Sequence, residues 1–405
     1  MQHGTIVIVG AGQCGGQAAD ALLRGGCSAH IVLLGEERHP PYQRPPLSKQ
    51  LLAGEISAER TFIKPAGYWA EKGVELRLGT RVQAIERAAR NVVLADGSRI
   101  GFDALLLATG SRPRQLALPG RELSGIHDLR TLDDAHAIRA QLHPDTRLTV
   151  VGGGFVGLEA AAVARAMGAS VTVLEAAPRL LSRVMPEPMS RWYERLHRAH
   201  GVDVRTAVGV TGFEGDGERV RRVCTSDGAV DTDLVVMGVG IVPNEELAAA
   251  CGIACDDGIV VDEHCATSDP AIYAAGDCTR HPQPLLGGHL RLESVHNATA
   301  QARVAAANLL GGEQRYAEIP WFWSDQFDAK LQMIGLSAPH ERTVVRGDMD
   351  AHAFIVFYLR DGVLIAADAI NSAREFMHCR KLVPRLARVD TQRLADPDTP
   401  LQDLC

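Results

Sequence analysis

Cysteine occurs nine times in the 405 residues, yet no two stand in a Cys-X-X-Cys pair and the number is odd. That excludes a dithiol relay of the usual spacing and argues against a disulfide framework, so a reducing compartment, the cytoplasm, is expected. Positive charge is not in excess: 42 Lys and Arg against 49 Asp and Glu leave a net charge of -7. No global basic field draws the protein onto nucleic acid or an anionic membrane, and neither is expected as a partner. Long apolar runs are missing as well. Ile6-Val7-Ile8-Val9 leads directly into Gly10 and is too short for the core of a secretory signal, while Ala104–Ala108 and Leu234–Val242 fall well below the length a bilayer demands. No metal-ligand cluster, low-complexity tract or block of like charge is present, so no metal and no disordered tail are expected.

What is there is a repeat. Thr5-Ile6-Val7-Ile8-Val9-Gly10-Ala11-Gly12-Gln13-Cys14-Gly15 returns as Leu148-Thr149-Val150-Val151-Gly152-Gly153-Gly154-Phe155-Val156-Gly157. Each copy runs from a β-branched strand through glycines into an Ala-rich helical stretch, 17–23 and 158–167. Each then reaches a second strand that ends in an acid, Glu36 after His30–Gly35 and Glu175 after Ser170–Leu174. One such loop is equally a tight turn; two in matched contexts point to two dinucleotides. The first glycine permits the turn, the second lets a pyrophosphate approach the backbone, and the third lets helix and strand pack closely. The anion is held by the unpaired N–H groups and positive dipole end of the helix start. Glu36 and Glu175 stand where a carboxylate accepts hydrogen bonds from an adenosine ribose. Beside Glu175 a 2'-phosphate meets like charge and the neutral Ala176-Ala177, which favours NADH over NADPH, unless Arg179 or Arg183 folds back onto it.

A length of 405 residues, at roughly 150 per domain, implies two or three domains. Ala104–Leu107 reads as a buried strand closing on Ala108-Thr109-Gly110, and Arg112-Pro113-Arg114 as a crossing between domains. Ile272–Ala275 is another short strand, ending in Gly276-Asp277, and a helix over 297–310 follows it. From Pro320 the pattern changes to short β runs, 330–334, 343–346, 353–359 and 363–367, closed by a helix over 373–386.

Four segments go beyond this general plan: Pro41-Tyr42-Gln43-Arg44-Pro45-Pro46-Leu47-Ser48-Lys49, Ala108-Thr109-Gly110-Ser111-Arg112-Pro113, Gly276-Asp277-Cys278 and Pro320-Trp321-Phe322-Trp323-Ser324-Asp325-Gln326. Together they resemble the FAD-dependent NADH:ferredoxin reductases of aromatic-ring dioxygenase and P450 systems, over nearly the whole chain. The resemblance implies an α/β fold of two Rossmann-like, glutathione-reductase-like domains plus an α+β C-terminal domain. FAD is expected on residues 1–112 and 245–319, NAD on 113–244, and the C-terminal domain over 320–405.

By that resemblance Gly10, Gly12, Cys14, Gly15 and Glu36 hold the FAD adenosine and pyrophosphate, and Arg44 and Lys49 approach the flavin. Val82, Ala108, Thr109, Gly110, Arg130, Gly276, Asp277, Val295 and Trp321 complete the pocket. Gly152, Gly154, Phe155, Val156, Gly157, Glu159, Glu175 and Gly240 bind NAD. Lys49, Glu159 and Trp321 are the expected catalytic residues: Lys49 near flavin N5, Glu159 at the nicotinamide carboxamide and paired with Lys49, and Trp321 beside the isoalloxazine. Cys14 stands where the family most often has Ala, and without a partner thiol it carries no redox role.

With no thiol relay and no metal cluster in the chain, reduced flavin must pass electrons outward, one at a time, to a small 2Fe-2S ferredoxin. An NADH reductase of another carrier such as rubredoxin, or a flavoprotein that merely responds to NADH, stay open as alternatives. The basic residues Lys330, Arg374, Arg380, Lys381 and Arg385 are the candidate surface for an acidic ferredoxin. Oligomeric state is not legible.

Overall fold

In the computed structural model, which describes residues 4–283 and 287–404, the first glycine loop lies at the end of the central strand of a five-stranded parallel sheet. The order is Ile272–Ala274, Ala104–Leu107, Thr5–Val9, His30–Leu34 and Glu75–Arg77. Strand side chains alternate between faces, and the run Ile6-Val7-Ile8-Val9 shows why it is apolar throughout. Ile6 and Ile8 pack with Ala18, Leu22, Ala302 and Ala305 of the helices Gln13–Arg24 and Val295–Leu309. Val7 and Val9 pack on the other side with Val82, Val92 and Leu94. Those three belong to an antiparallel sheet of Val82–Glu86, Asn91–Leu94 and Arg99–Gly101. Each fully buried Ile or Val contributes about 1.5–3 kcal/mol, so Ile8→Asp would open this core from its centre.

The chain folds into two compact units. The first comprises Met1–Arg44, Ser57–Arg112 and Ile241–Glu318; the second comprises Pro45–Ile56, Pro113–Gly240 and Ile319–Cys405.

The second unit repeats the plan. Its parallel sheet has the order Asp203–Thr206, Ser170–Glu175, Arg147–Val151, Leu234–Met237 and Ile126–Asp128, with the second glycine loop again after the central strand. A three-stranded antiparallel sheet, Val210–Asp216, Arg219–Thr225 and Gly228–Asp231, covers one face through Phe213, Val220 and Val223. The helix Leu132–Arg139 opens with a capping box in which the Thr131 hydroxyl accepts from the Asp134 N–H.

The same unit holds a five-stranded antiparallel sheet, Trp321–Gln326, Ala329–Gly335, Val363–Ile370, Ala353–Arg360 and Arg342–Asp348. Ile355, Phe357, Leu359 and Ala367 bury one face of it against Phe376, Cys379 and Leu382 of the helix Ala373–Leu382. The expected helix over 373–386 is shorter: it ends at Leu382 and tightens into a 3-10 turn, Val383–Arg385. Pro384 is the reason, since its ring nitrogen has no hydrogen to continue an α-helix. Trp321–Gln326, noted in the sequence only as a motif, is an edge strand. Among the described residues no helix is long and apolar enough to cross a membrane.

Candidate functional site

The first cradle is set by three glycines with different duties. Gly10 sits at φ 110°, donates its N–H to the Leu34 carbonyl at 2.8 Å, and would drive a Cβ to 2.2 Å from the Ala108 carbonyl oxygen. A Cβ on Gly15 would stand 1.8 Å from the Gly10 oxygen. Neither position accepts a side chain. Gly12 is different: a Cβ there would come no nearer than 3.8 Å, to Arg44 Nη2, and the residue caps the helix Gln13–Arg24 without any side-chain hydrogen bond. The loop thus offers uncapped helix N–H groups beneath an open Cα, which suits a pyrophosphate.

Around it, Ala108 donates its N–H to the Val9 carbonyl at 2.8 Å, and Gly110 takes φ 66°. Thr109 and Asn244 close the turn reciprocally, Oγ1 to the Asn244 carbonyl at 2.6 Å and Nδ2 to the Thr109 carbonyl at 2.9 Å. Gly276, at φ 89°, donates its N–H to Gln301 Oε1 at 2.7 Å, and Asp277 Oδ2 accepts from Ser111 Oγ at 3.0 Å. The Cys14 side chain packs directly on Gly276. Burial above all, then Cys278, Cys265 and Asp277 nearby, push its thiol well up. A thiol so held is not a nucleophile.

Arg44 is clamped by Glu37 Oε1 and the Tyr42 hydroxyl, each at 2.8 Å, and that hydroxyl donates to Glu37 Oε2 at 2.6 Å. Glu36 is exposed, with Arg81 Nη1 at 3.6 Å from its Oε1. Val82 is a buried strand residue, and Val295 opens the helix Val295–Leu309 behind the Ser294 cap. Arg130 belongs to the second unit, where its N–H donates to Asp134 Oδ2 at 3.0 Å.

The second cradle has the same backbone rules. Gly152 sits at φ 104°, donates to the Leu174 carbonyl at 2.7 Å, and a Cβ there would be 2.4 Å from the Gly238 oxygen. A Cβ on Gly157 would be 2.5 Å from the Gly152 oxygen, while Gly154 is open and caps Phe155–Ala166 without a side-chain bond. Glu175 is employed in the loop: Oε2 accepts the Gly153 N–H and Oε1 the Ala177 N–H, both at 2.7 Å. Arg179 is turned onto its own loop, donating to the Met185 and Ser182 carbonyls at 2.6 and 3.1 Å. Val156 is 45% exposed at the helix start, Phe155 packs on Phe322 with ring centroids 4.7 Å apart, and Gly240 takes φ 96°.

Lys49 and Glu159 meet in the second unit. Lys49 Nζ stands 2.7 Å from Glu159 Oε2, which also accepts from Ser48 Oγ at 2.5 Å, while Oε1 accepts from Ser324 Oγ at 2.6 Å. Ser324 in turn accepts from Gln326 Nε2 at 3.1 Å, and Gln326 Oε1 lies 2.8 Å from His197 Nε2. Burial pulls His197 down to about 4 from its ordinary 6.5, so it is neutral near pH 7. Trp321 packs at 5.3 Å from Trp323 and carries the Arg380 guanidinium over its ring at 5.2 Å.

Ser48, Ser324 and Gln326 stand in the segments quoted above but carry no role there, and His197 was not singled out from the sequence. Ser324 and Gln326 are two apart on one strand, so their side chains share a face, and His197 follows the buried Tyr193 by one helical turn. Those spacings were the available signals.

Residues 4–302 match the family model for pyridine nucleotide-disulphide oxidoreductases, and 321–405 match the model for a reductase C-terminal domain. The chain is 46% identical over 406 residues to the ferredoxin–NAD(+) reductase component of an anthranilate 1,2-dioxygenase system from Burkholderia cepacia, covering 99% of each. It is 42% identical to putidaredoxin reductase of Pseudomonas putida, over 98% of this chain and 96% of the relative. Its fold matches the crystal structure of the covalent putidaredoxin reductase–putidaredoxin complex with a TM-score of 0.97 at 41% identity, covering 100% of this chain and 98% of the other.

Proposed function

Because the chain belongs to the pyridine nucleotide-disulphide oxidoreductase family, and within it to the ferredoxin reductases of oxygenase systems, we propose that it takes hydride from NADH and passes the electrons singly to a small 2Fe-2S ferredoxin. That ferredoxin feeds an aromatic-ring dioxygenase or a P450. The observation that carries this reading is the full-length likeness to reductases of both kinds of system. Two glycine cradles, each with an open central glycine above an uncapped helix, support it.

Bound FAD supplies a hydride acceptor able to release electrons one at a time. Gly10, Gly12 and Gly15 would hold its pyrophosphate, Glu36 its ribose, and Arg44, Val82, Ala108, Thr109, Gly110, Arg130, Gly276, Asp277 and Val295 the remainder. The assignment gives FAD to 1–112 with 245–319, NAD to 113–244, and the C-terminal domain to 320–405. Gly152, Gly154 and Gly157 would hold the NADH pyrophosphate, and Glu175 its ribose. NADH is the proposed donor on the strength of Glu175, and of the two arginines able to offset that charge, Arg179 is engaged by carbonyls.

Lys49 is assigned to the flavin side, where an ammonium favours the negative charge that accumulates on hydride transfer. Glu159 aims that ammonium and would meet the nicotinamide carboxamide; Trp321 would lie beside the ring. The exposed Lys330, Arg374, Arg380, Lys381 and Arg385 are assigned to docking of an acidic ferredoxin. A reducing cytoplasm is the proposed compartment, supported by the free state of every described cysteine.

NADH-dependent reduction of candidate 2Fe-2S ferredoxins, with rubredoxin as rival acceptor and cytochrome c as reporter, tests the reading. Multiple turnover with a ferredoxin is expected. Turnover with rubredoxin alone would reassign the partner, and a flavin bleached by NADH without turnover on any acceptor would end the electron-transfer reading. Charge reversal at Lys381 and Arg385 should raise the ferredoxin KM and leave flavin reduction by NADH unchanged; an unchanged KM removes the docking assignment.

A further inference from the structure

An ionised carboxylate can only accept hydrogen bonds, and that fixes every proton in the chain of contacts behind Glu159. Ser324 must donate its hydroxyl hydrogen to Glu159 Oε1, which leaves its lone pairs for Gln326 Nε2. The amide oxygen of Gln326 then faces His197, whose Nε2 must carry the hydrogen. All the donors point one way, toward Glu159. Oε2, the other end of the carboxylate, is taken by Ser48 and Lys49. Ser324, Gln326 and His197 are buried, on the strand Trp321–Gln326 and the helix Glu187–Ala199, while Glu159 lies on Phe155–Ala166.

Three elements are therefore tied to one carboxylate. Among the described residues the His197 ring makes this one hydrogen bond, its buried Nδ1 having no partner. A site that needed only to satisfy Glu159 could stop at Ser324, because Gln326 and His197 make no contact with the carboxylate in this network. What the longer chain adds is direction: it removes the rotational freedom of Ser324 and so fixes the plane of the Glu159 carboxylate against which Lys49 rests.

We infer that Ser324, Gln326 and His197 are positioning residues for the hydride step, orienting Glu159 and through it the Lys49 ammonium. The inference rests on the assignment of Lys49 and Glu159 to that step. A misplacement of about 1 Å in a reacting geometry costs on the order of a hundredfold in rate; loss of one orienting bond is expected to cost less.

The test is a double-mutant cycle in the FAD-loaded enzyme, reading the limiting rate of flavin reduction by NADH, the NADH Kd and, without NADH, the thermal midpoint. Ser324→Ala should slow reduction roughly tenfold and change Kd less than about twofold, whereas Ser324→Thr, which keeps the hydroxyl, should retain the wild-type rate. Gln326→Met, which leaves the Ser324 bond to Glu159 in place, should cost about threefold, and it carries the test if Ser324→Ala does not fold. In a Lys49→Met background Ser324→Ala should add less than about twofold, and the thermal midpoints should be non-additive in the same sense. Equal costs in both backgrounds, no cost in the wild type, or failure of Ser324→Thr to preserve the rate overturns the inference. A wild-type rate in Lys49→Met alone would instead overturn the assignment of Lys49, and the inference with it.

Discussion

At Gly10 and at Gly152 the chain makes the same left-handed turn, φ 110° and 104°, under the same carbonyl ceiling, Ala108 in one unit and Gly238 in the other. The acids that follow are used differently. Glu36 is exposed beside Arg81, whereas both oxygens of Glu175 are taken up by backbone N–H groups of Gly153 and Ala177. The backbone demands of a dinucleotide cradle are strict and repeat almost unchanged; the side chains around it are where the two sites diverge. If the two acids meet the riboses as proposed, the exposed first one would leave its end adjustable, while the anchored second would present a fixed anion.

The largest expected break comes at the tightest glycine. In Gly15→Ala the new Cβ meets the Gly10 carbonyl oxygen at 1.8 Å, so the purified protein should retain no FAD by absorbance; a yellow, stoichiometric holoenzyme would show that the turn relaxes. Acid strikes both units alike. Burial holds His197 in the second unit and His281 in the first down to about 4, from an ordinary 6.5. The unfolded chain takes up these protons at higher pH than the folded one. Stability from the neutral histidines is therefore full above pH 6.5 and lost as the pH falls toward 4, by on the order of 3 kcal/mol for each. Thermal midpoints measured from pH 7 to 4.5 should fall accordingly, and a flat profile would contradict it.

Gly157→Ala is the milder counterpart of Gly15→Ala, since its Cβ would stand at 2.5 Å rather than 1.8 Å from the corresponding oxygen. FAD should stay bound while the NADH Kd rises roughly hundredfold, or about 2.7 kcal/mol. Loss of FAD in this variant would mean that the two cradles are not independent. Glu175→Arg should lower the NADH over NADPH preference about tenfold, near 1.4 kcal/mol, judged by kcat/KM for each nucleotide. An unaltered ratio would show that this carboxylate does not face the ribose. The smallest effect is expected at Glu36→Ala, about threefold in FAD affinity because the side chain is exposed and screened. A tenfold or larger loss there would erase the distinction between the two acids.

The cradles were legible because their constraint is local: a β-branched run, glycines and an Ala-rich stretch are consecutive, and Thr5–Val9 and Ser170–Glu175 follow from them directly. The antiparallel sheets Val82–Gly101 and Val210–Asp231 were not, since their exposed faces dilute the apolar signal. Arg44 was read as approaching the flavin, and its clamp to Glu37 and Tyr42 depends on side-chain geometry within one loop. The chain from Glu159 to His197 runs over three elements through bonds that span 165 positions (Glu159–Ser324) and 129 positions (His197–Gln326). The alternation of Ser324 and Gln326 and the one-turn spacing of Tyr193 and His197 hinted at it, and neither can say what lies opposite.

Reduced flavins leak electrons to oxygen, and a protein that carries one works in the presence of its own peroxide. Oxidation of cysteine proceeds through the thiolate and requires access. Cys14, packed under Gly276 at the heart of the first cradle, has neither, because it is shut in and held protonated. The loop thereby holds a filler slightly larger than alanine whose sulfur is withheld from oxidants by burial.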